Sequence, residues 1–314
     1  MIELLQVSPL PPFLVERLQA DYTLHDFIVP ADPDGVLAEV GPRVRGILAG
    51  GMAGPDAALI NRLEKLEIIA SFGVGFDATD VVAAQARGVV VTNTPDVLTG
   101  DVADLAMTLI LMAPRRIGEA ERFLRAGKWT AGRFDLGTTL RGKRLGILGL
   151  GRIGQAVARR AEVFGLNIAY HDIRPLGDLP YRSYPTLEDL ARASDILLVA
   201  CDGRPANRGL VDAAVLAALG PAGCLVNTAR GPIVDQPALV AALADGTIAG
   251  AGLDVFDGEP AVPAALMELE NVVLTPHIAS STHETRRAMA DLVFDNLKAH
   301  FAGKPVLTPV PPQG

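Results

Sequence analysis

Short runs of apolar, often β-branched residues recur along the chain. Each is followed by a turn bearing Gly or Asp and then by a stretch rich in Ala, Leu and Arg at helical spacing. The runs at 2–7, 45–49, 67–71, 89–92, 144–148, 167–171, 195–200, 223–227, 249–254 and 272–275 are the predicted strands. Several, such as ILLVA at 196–200, show no alternation of polar and apolar positions, which fits strands buried on both faces of a parallel sheet. Strands that alternate with helices make βαβ units, so the expected fold class is α/β with doubly wound architecture.

The pattern falls into two blocks. Residues 1–98 hold one set of alternations and end in TNTPDVLTG, a Pro/Asn/Thr/Gly cluster that reads as a boundary. A long helix-like stretch then runs from Asp101 to about Ala126, interrupted at Pro114, and a second set begins at Leu145. The amphipathic segment 284–301 reads as a helix that either block could claim. If the two ends of the chain share a domain, the second block is an insertion in the first.

Composition narrows the function classes. At 314 residues the chain fits two domains of ordinary size, and 49% hydrophobic residues supply a sizeable core. No apolar run reaches the roughly 18–20 residues of a membrane span. The opening MIELLQVSPL lacks a basic segment followed by a long apolar one, so the expected compartment is the cytoplasm. A net charge of −8 argues against a nucleic-acid partner. Cys201 and Cys224 are too few for a disulfide framework or a metal cluster and sit in apolar stretches, so no metal is expected.

Chemistry first enters at 144–165, where the strand RLGIL runs into Gly149-Leu150-Gly151-Arg152-Ile153-Gly154 and then into an Ala/Arg-rich helix. Gly149 permits a tight turn, Gly151 lets a pyrophosphate approach the backbone, and Gly154 allows close helix–strand packing. The helix N-terminus offers free N–H groups to phosphates. Asp172 ends the next strand, about 20 residues on, where a carboxylate can accept both ribose hydroxyls and repel a 2′-phosphate. NAD is therefore expected, with NADP possible because Arg174 follows two residues later.

Three later segments place a cation, an acid and an imidazole just after strands: CLVNTARG (224–231), GLDVFDGEP (252–260) and VVLTPHIASS (272–281). Reducing a 2-keto acid requires its carboxylate to be held, its carbonyl polarised and a proton delivered as hydride arrives. Arg230 suits the first two tasks, His277 is the natural proton donor, and Glu259 would favour its imidazolium. Taken singly, each has a structural explanation, as do His25, His171, His283 and His300. The ordered set downstream of a glycine loop is what points to catalysis. In the first block, Gly73-Val74-Gly75 follows a strand and offers backbone N–H groups that suit a carboxylate, with Gly50-Gly51-Met52 as a second wall.

With these residues in place, the chain resembles the D-isomer-specific 2-hydroxyacid dehydrogenases from about residue 40 to 310. The matching pieces are GVGFDATD, TNTPDVLTGDVADLAMTLIL, GKRLGILGLGRIG, LVNTARGPIVD, GAGLDVFDGEP and TPHIAS. The resemblance implies two Rossmann-like domains: a discontinuous substrate domain at 1–98 and 283–314 around a dinucleotide-binding domain at 99–282. It also implies a homodimer formed mainly through the nucleotide domains. By motif position, Arg230, Glu259 and His277 correspond to the catalytic set. Asp254 matches an acid near the nicotinamide, Thr228-Ala229 line the cofactor cleft, and the backbone of Val74 and Gly75 would hold the substrate carboxylate. Within the family the chain looks most like the glyoxylate and hydroxypyruvate reductases, including the plant hydroxyphenylpyruvate reductases, which makes a bulkier keto acid the alternative substrate. It departs from those plant enzymes in carrying Asp172-Ile173 where they tend to have Ser-Arg, and in the loop CDGRPANRG (201–209). A reading of another class is a nucleotide-sensing module, since the C-terminal-binding corepressors resemble the same family.

Overall fold

Apolar runs closed by Gly- and Asp-bearing turns become the strands of two parallel sheets in the computed structural model, which describes residues 1–313. The chain divides into two compact units: Met1–Leu98 with the segment from Thr282 onward, and Thr99–Ser281. Gly314, which closes the expected substrate domain, lies outside the described residues.

The first unit is a five-stranded sheet of order β2-β1-β3-β4-β5. Its strands are β1 (Ile2–Gln6), β2 (Tyr22–Asp26), β3 (Val44–Gly50), β4 (Ile68–Phe72) and β5 (Val90–Thr92). All five residues of β4 are buried, as a strand covered on both faces requires. Leu5, Ile47, Ala49, Ile69 and Val91 pack on one face against Leu37, Val40, Ile60, Leu63 and Ala84 of the connecting segments. The period of two turns Leu4, Leu48 and Ala70 to the other face. There the helix His283–Phe301, capped by the Thr282 side chain, packs on β4. Tyr22 meets Phe294 of that helix edge to face, with ring centroids 6.5 Å apart.

The second unit holds β6 (Arg144–Leu148), β7 (Asn167–His171), β8 (Arg182–Ser183), β9 (Ile196–Val199), β10 (Cys224–Asn227), β11 (Gly250–Leu253) and β12 (Val272–Leu274). They form a parallel sheet of order β12-β11-β10-β9-β6-β7-β8. The chain leaves β6 to build β7 on one side, then returns to build β9 on the other. This reversal opens a crevice at the carboxyl ends of β6, β7 and β9, the place where open α/β sheets bind ligands.

Two strands lie outside the sequence expectation. β2 reads YTLHD, half-polar as befits an edge strand, and β8 has two residues; both are edges of their sheets. The helix-like stretch 101–126 resolves into Thr99–Met112 and Ile117–Arg125, separated by turns that contain Pro114. Among the described residues, no helix is long and apolar enough to cross a membrane.

Candidate active site

The glycine loop sits at the carboxyl end of β6, in the crevice. Gly149 takes φ +89°, and a Cβ there would stand 2.6 Å from the Cys201 Cα, so only glycine fits. A Cβ on Gly154 would reach 2.4 Å from the Gly149 carbonyl oxygen, which shows how tightly the helix Arg152–Val163 is drawn against the turn. Gly151 is different. A Cβ there would meet nothing closer than the Arg174 Nη2 at 3.8 Å, so its missing side chain leaves room at the mouth of the loop. A backbone that is open at the second glycine and closed at the first and third fits a dinucleotide pyrophosphate at the helix N-terminus.

Asp172, at the end of β7, braces this loop: its Oδ2 accepts the Leu150 N–H at 2.9 Å. Burial raises its carboxyl pKa. The hydrogen bonds from the Arg174 guanidinium, the Arg174 N–H and the Leu150 N–H outweigh that and hold it below the ordinary value. Cys201, pressed on the opposite side of the turn, has its thiol pushed up to about 12 by burial, which makes it an inert packing group.

The imidazole and the acid meet. His277 Nδ1 lies 2.6 Å from Glu259 Oε2, and the other carboxylate oxygen accepts the Phe256 N–H at 2.8 Å. The Glu259 side chain is 11% exposed and that of His277 32%, so the pair has a buried end and an end open to a reactant. Burial raises the Glu259 carboxyl. Its hydrogen bonds to His277 and the Phe256 N–H, with the charges of His277 and Arg230, more than reverse this and leave it lowered.

His277 takes a left-handed backbone, φ +53°, which a non-glycine residue adopts only when its surroundings impose it. The surroundings are Asp254. Its carbonyl accepts the His277 N–H at 2.9 Å, while its carboxylate gathers the Thr275 hydroxyl (2.6 Å), the Ile278 N–H (2.9 Å) and the Ala279 N–H (3.0 Å). Asp254 is fully buried. The acid expected near the nicotinamide side of the site thus ties, by its carboxylate, the loop that carries His277.

Arg230 follows β10 in the same row of strand ends. Asn227, the last residue of that strand, accepts the Ala229 N–H at 3.0 Å and donates to the Arg230 carbonyl at 2.9 Å, fixing the Thr228–Arg230 turn. The Arg230 Nη1 donates to the Ala229 carbonyl at 2.8 Å. A Cβ on Gly231 would lie 1.9 Å from the Phe256 carbonyl carbon, so glycine is what lets the Arg230 turn lie against the segment leading to Glu259.

In the first unit, Gly51 and Gly73 lie against one another: a Cβ on Gly73 would be 3.1 Å from the Gly51 Cα. The Gly73 carbonyl accepts the Thr94 N–H at 2.9 Å, and the Val74 carbonyl accepts the Asn93 side-chain amide at 2.8 Å. In a trans peptide the N–H points opposite to the carbonyl, so these two anchors aim the N–H groups of Val74 and Gly75 away from Asn93 and Thr94. Two neighbouring N–H groups held this way are donors of the kind an anion can take.

Comparison with known proteins decides the family. Residues 107–279 match the NAD binding domain of the D-isomer specific 2-hydroxyacid dehydrogenases. A hydroxyphenylpyruvate reductase of Plectranthus scutellarioides is 48% identical, covering 98% of this chain and 99% of its own length. The chain belongs to the D-2-hydroxyacid dehydrogenase family. A glyoxylate/hydroxypyruvate reductase A of Arabidopsis thaliana is also 48% identical, over 98% of this chain and 99% of its own. Among solved structures, an NADPH-dependent glyoxylate/hydroxypyruvate reductase of Sinorhizobium meliloti superposes with a TM-score of 0.92 at 48% identity, covering 98% of this chain and 96% of that one. As a D-2-hydroxyacid dehydrogenase this chain is an NAD(P)-dependent oxidoreductase with a Rossmann nucleotide-binding unit, and the corepressor-like alternative gains no support.

In this dehydrogenase Gly149, Gly151, Arg152, Ile153, Gly154, Asp172, Thr228, Ala229, Arg230, Asp254, Glu259 and His277 all lie in the second unit, at or just beyond the carboxyl ends of its strands. Gly51, Val74 and Gly75 occupy the corresponding edge of the first. Sequence reasoning passes over Asn93, Asn227 and Thr275, whose side chains aim the peptides and loops that carry the named residues. All three stand within motifs that do stand out, Asn93 in TNTPDVLTG, but none bears a charge or a titrating group that would mark it.

Proposed function

We propose that the chain reduces a small 2-keto acid of the glyoxylate or hydroxypyruvate type to the D-2-hydroxy acid. The observation that carries this reading is the 2.6 Å contact between His277 Nδ1 and Glu259 Oε2. With Nδ1 committed to the carboxylate, Nε2 is the atom left to hold a proton and deliver it to the ketone oxygen. Run backwards, the same nitrogen takes the hydroxyl proton. A nicotinamide dinucleotide on the glycine loop, when bound, supplies or accepts the hydride. Arg230, close enough for its charge to act on Glu259, is assigned to polarise the ketone and steady the anionic substrate. The same reading gives the N–H groups of Val74 and Gly75, with Gly51 beside them, the substrate carboxylate. Thr228 and Ala229 line the cofactor side.

His277→Ala tests this. Turnover should fall by about 2–4 orders of magnitude, the usual scale for losing a general acid, with NADH or NADPH binding retained. A variant with near-normal kcat would overturn the assignment. Steady-state rates on glyoxylate, hydroxypyruvate and hydroxyphenylpyruvate then identify the substrate. The bulkier keto acid is kept in the panel because the Plectranthus scutellarioides relative is as similar as the Arabidopsis thaliana one.

The working form in this reading is a homodimer, and its compartment the cytoplasm. Support for the dimer comes from the helix Ile117–Arg125 and the segment after it. That helix buries none of its residues, yet Ile117 and Leu124 are exposed on it, and Trp129 beyond it is 68% exposed. Exposed apolar side chains close together along the chain fit a subunit interface.

A further inference from the structure

The loops after β7 and β9 share one construction. Asp172 is followed two residues on by Arg174, and Asp202 two residues on by Arg204. In each, the guanidinium folds back on the carboxylate through two parallel bonds. Arg174 Nε and Nη2 reach Asp172 Oδ1 and Oδ2, both at 3.0 Å; Arg204 Nε and Nη2 reach Asp202 Oδ1 and Oδ2 at 2.6 and 2.5 Å.

Both clamps flank the glycine loop. Cys201, next to Asp202, fills the place of a Gly149 side chain, and the Arg174 Nη2 overhangs Gly151. They also act on one another. The Arg174 charge is favoured first by its bonds to Asp172; beyond the cost of burial, the Asp202 charge favours it further and the Arg204 charge opposes it.

The state of Asp172 matters for what can bind beside it. Its oxygens accept four donors: the Arg174 N–H and Nε on Oδ1, the Leu150 N–H and the Arg174 Nη2 on Oδ2. A carboxylate offers about four lone-pair sites, so all are taken. Its side chain is 4% exposed, whereas that of Arg174 is 59% exposed. A ribose diol seeking this carboxylate must first displace the guanidinium. A phosphate group instead meets the guanidinium on its open side, with the repulsion of Asp172 already neutralised. Arg204, 48% exposed, adds a second cation.

We propose that the two Asp–Arg clamps form a seat for the 2′-phosphate of a phosphorylated dinucleotide, with Arg174 the main contact and Arg204 the second. The chain then prefers NADPH even though an acid ends β7. This rests on the dinucleotide reading of the glycine loop and reverses the preference that Asp172 suggests when taken alone.

Two measurements that require no turnover test it: calorimetric titration with 2′,5′-ADP and with 5′-AMP, and fluorescence titration with NADPH and NADH. The intact protein should bind each phosphorylated partner more tightly, by about tenfold to a hundredfold, the scale of hydrogen bonds between charged groups. Arg174→Ala should lose about that factor for 2′,5′-ADP and NADPH, and hold or improve affinity for 5′-AMP and NADH by freeing Asp172. Arg204→Ala should act in the same direction by less. Retained NADH affinity also reports that the variants fold. Equal binding of 2′,5′-ADP and 5′-AMP by the intact protein, or an equal loss for both in Arg174→Ala, overturns the seat while leaving the oxidoreductase reading intact. Failure of the intact protein to bind any of the four ligands overturns both.

Discussion

Asp254 holds the loop that carries His277 without touching the imidazole. It is fully buried and ties three donors of the segment Thr275–Ala279, while its carbonyl holds the His277 N–H in a left-handed turn. Asp254→Ala leaves the Thr275 hydroxyl and two N–H groups without their acceptor. At about 1–3 kcal/mol for each of the three if shielded from water, the expected loss of stability is about 3–9 kcal/mol, read from a urea midpoint. Turnover should drop by about tenfold to a hundredfold because the imidazole is no longer pre-aimed. NADH affinity should change little if Asp254 acts only through the loop; a large loss would mean that it also contacts the cofactor. Charged residues with a motif around them stand out at this scale: the sequence singles out Arg230, Glu259 and His277, and the structure brings His277 and Glu259 into contact. Asn227 and Asn93 do not, because their work is to fix peptide planes, and an amide that does so looks like any other polar residue until its partners are known.

At the scale of elements, the strands buried on both faces are the legible ones. ILLVA at 196–200 yields β9 within one residue, since an unbroken apolar run this short between polar turns fits a strand buried on both faces. Edge strands escape, as β2 and β8 do, because half-polar stretches satisfy a strand and a loop equally well. Pro114 is read correctly as an interruption, and the structure shows its consequence: a separate amphipathic helix, Ile117–Arg125, on which Phe123 packs against Phe134 while Ile117 and Leu124 stay exposed. Leu124→Glu combined with Trp129→Glu should therefore convert a dimer into a monomer in sedimentation experiments, with circular dichroism unchanged. A dimer that survives both changes would place the interface elsewhere.

Across the whole molecule, carboxylates set the response to acid. Glu259, Asp172 and Asp195 are all held below their ordinary values of 4.5, 3.8 and 3.8 despite burial, each by hydrogen bonds and neighbouring cations. A carboxyl depressed in the folded state adds stability that is complete above its unfolded value and is lost as pH falls through the folded one. The urea midpoint should accordingly be level from neutrality down to about pH 5 and decline steeply below about pH 4. A decline that begins near pH 6 would implicate histidines instead. The pattern of alternation reveals two doubly wound blocks, but cannot say which of them the amphipathic segment 284–301 joins, since helical periodicity names a buried face without naming its partner. The structure supplies the partner: β4 of the first unit, with Asn296 and Thr308 linking the end of the chain back to Asn93.

That return of the chain has a consequence for its birth on the ribosome. The five strands of the first sheet emerge early, but the helix that covers β4 is made only after all of Thr99–Ser281 has been synthesised, a wait of roughly 10–40 s at ~5–20 residues per second. Throughout that interval β4 lacks the cover that His283–Phe301 will bring, and the nucleotide-binding half, complete at Ser281, can close on itself before that helix is made. The half translated first is thus the half finished last, and its bare face is where a nascent-chain chaperone would have most to shield.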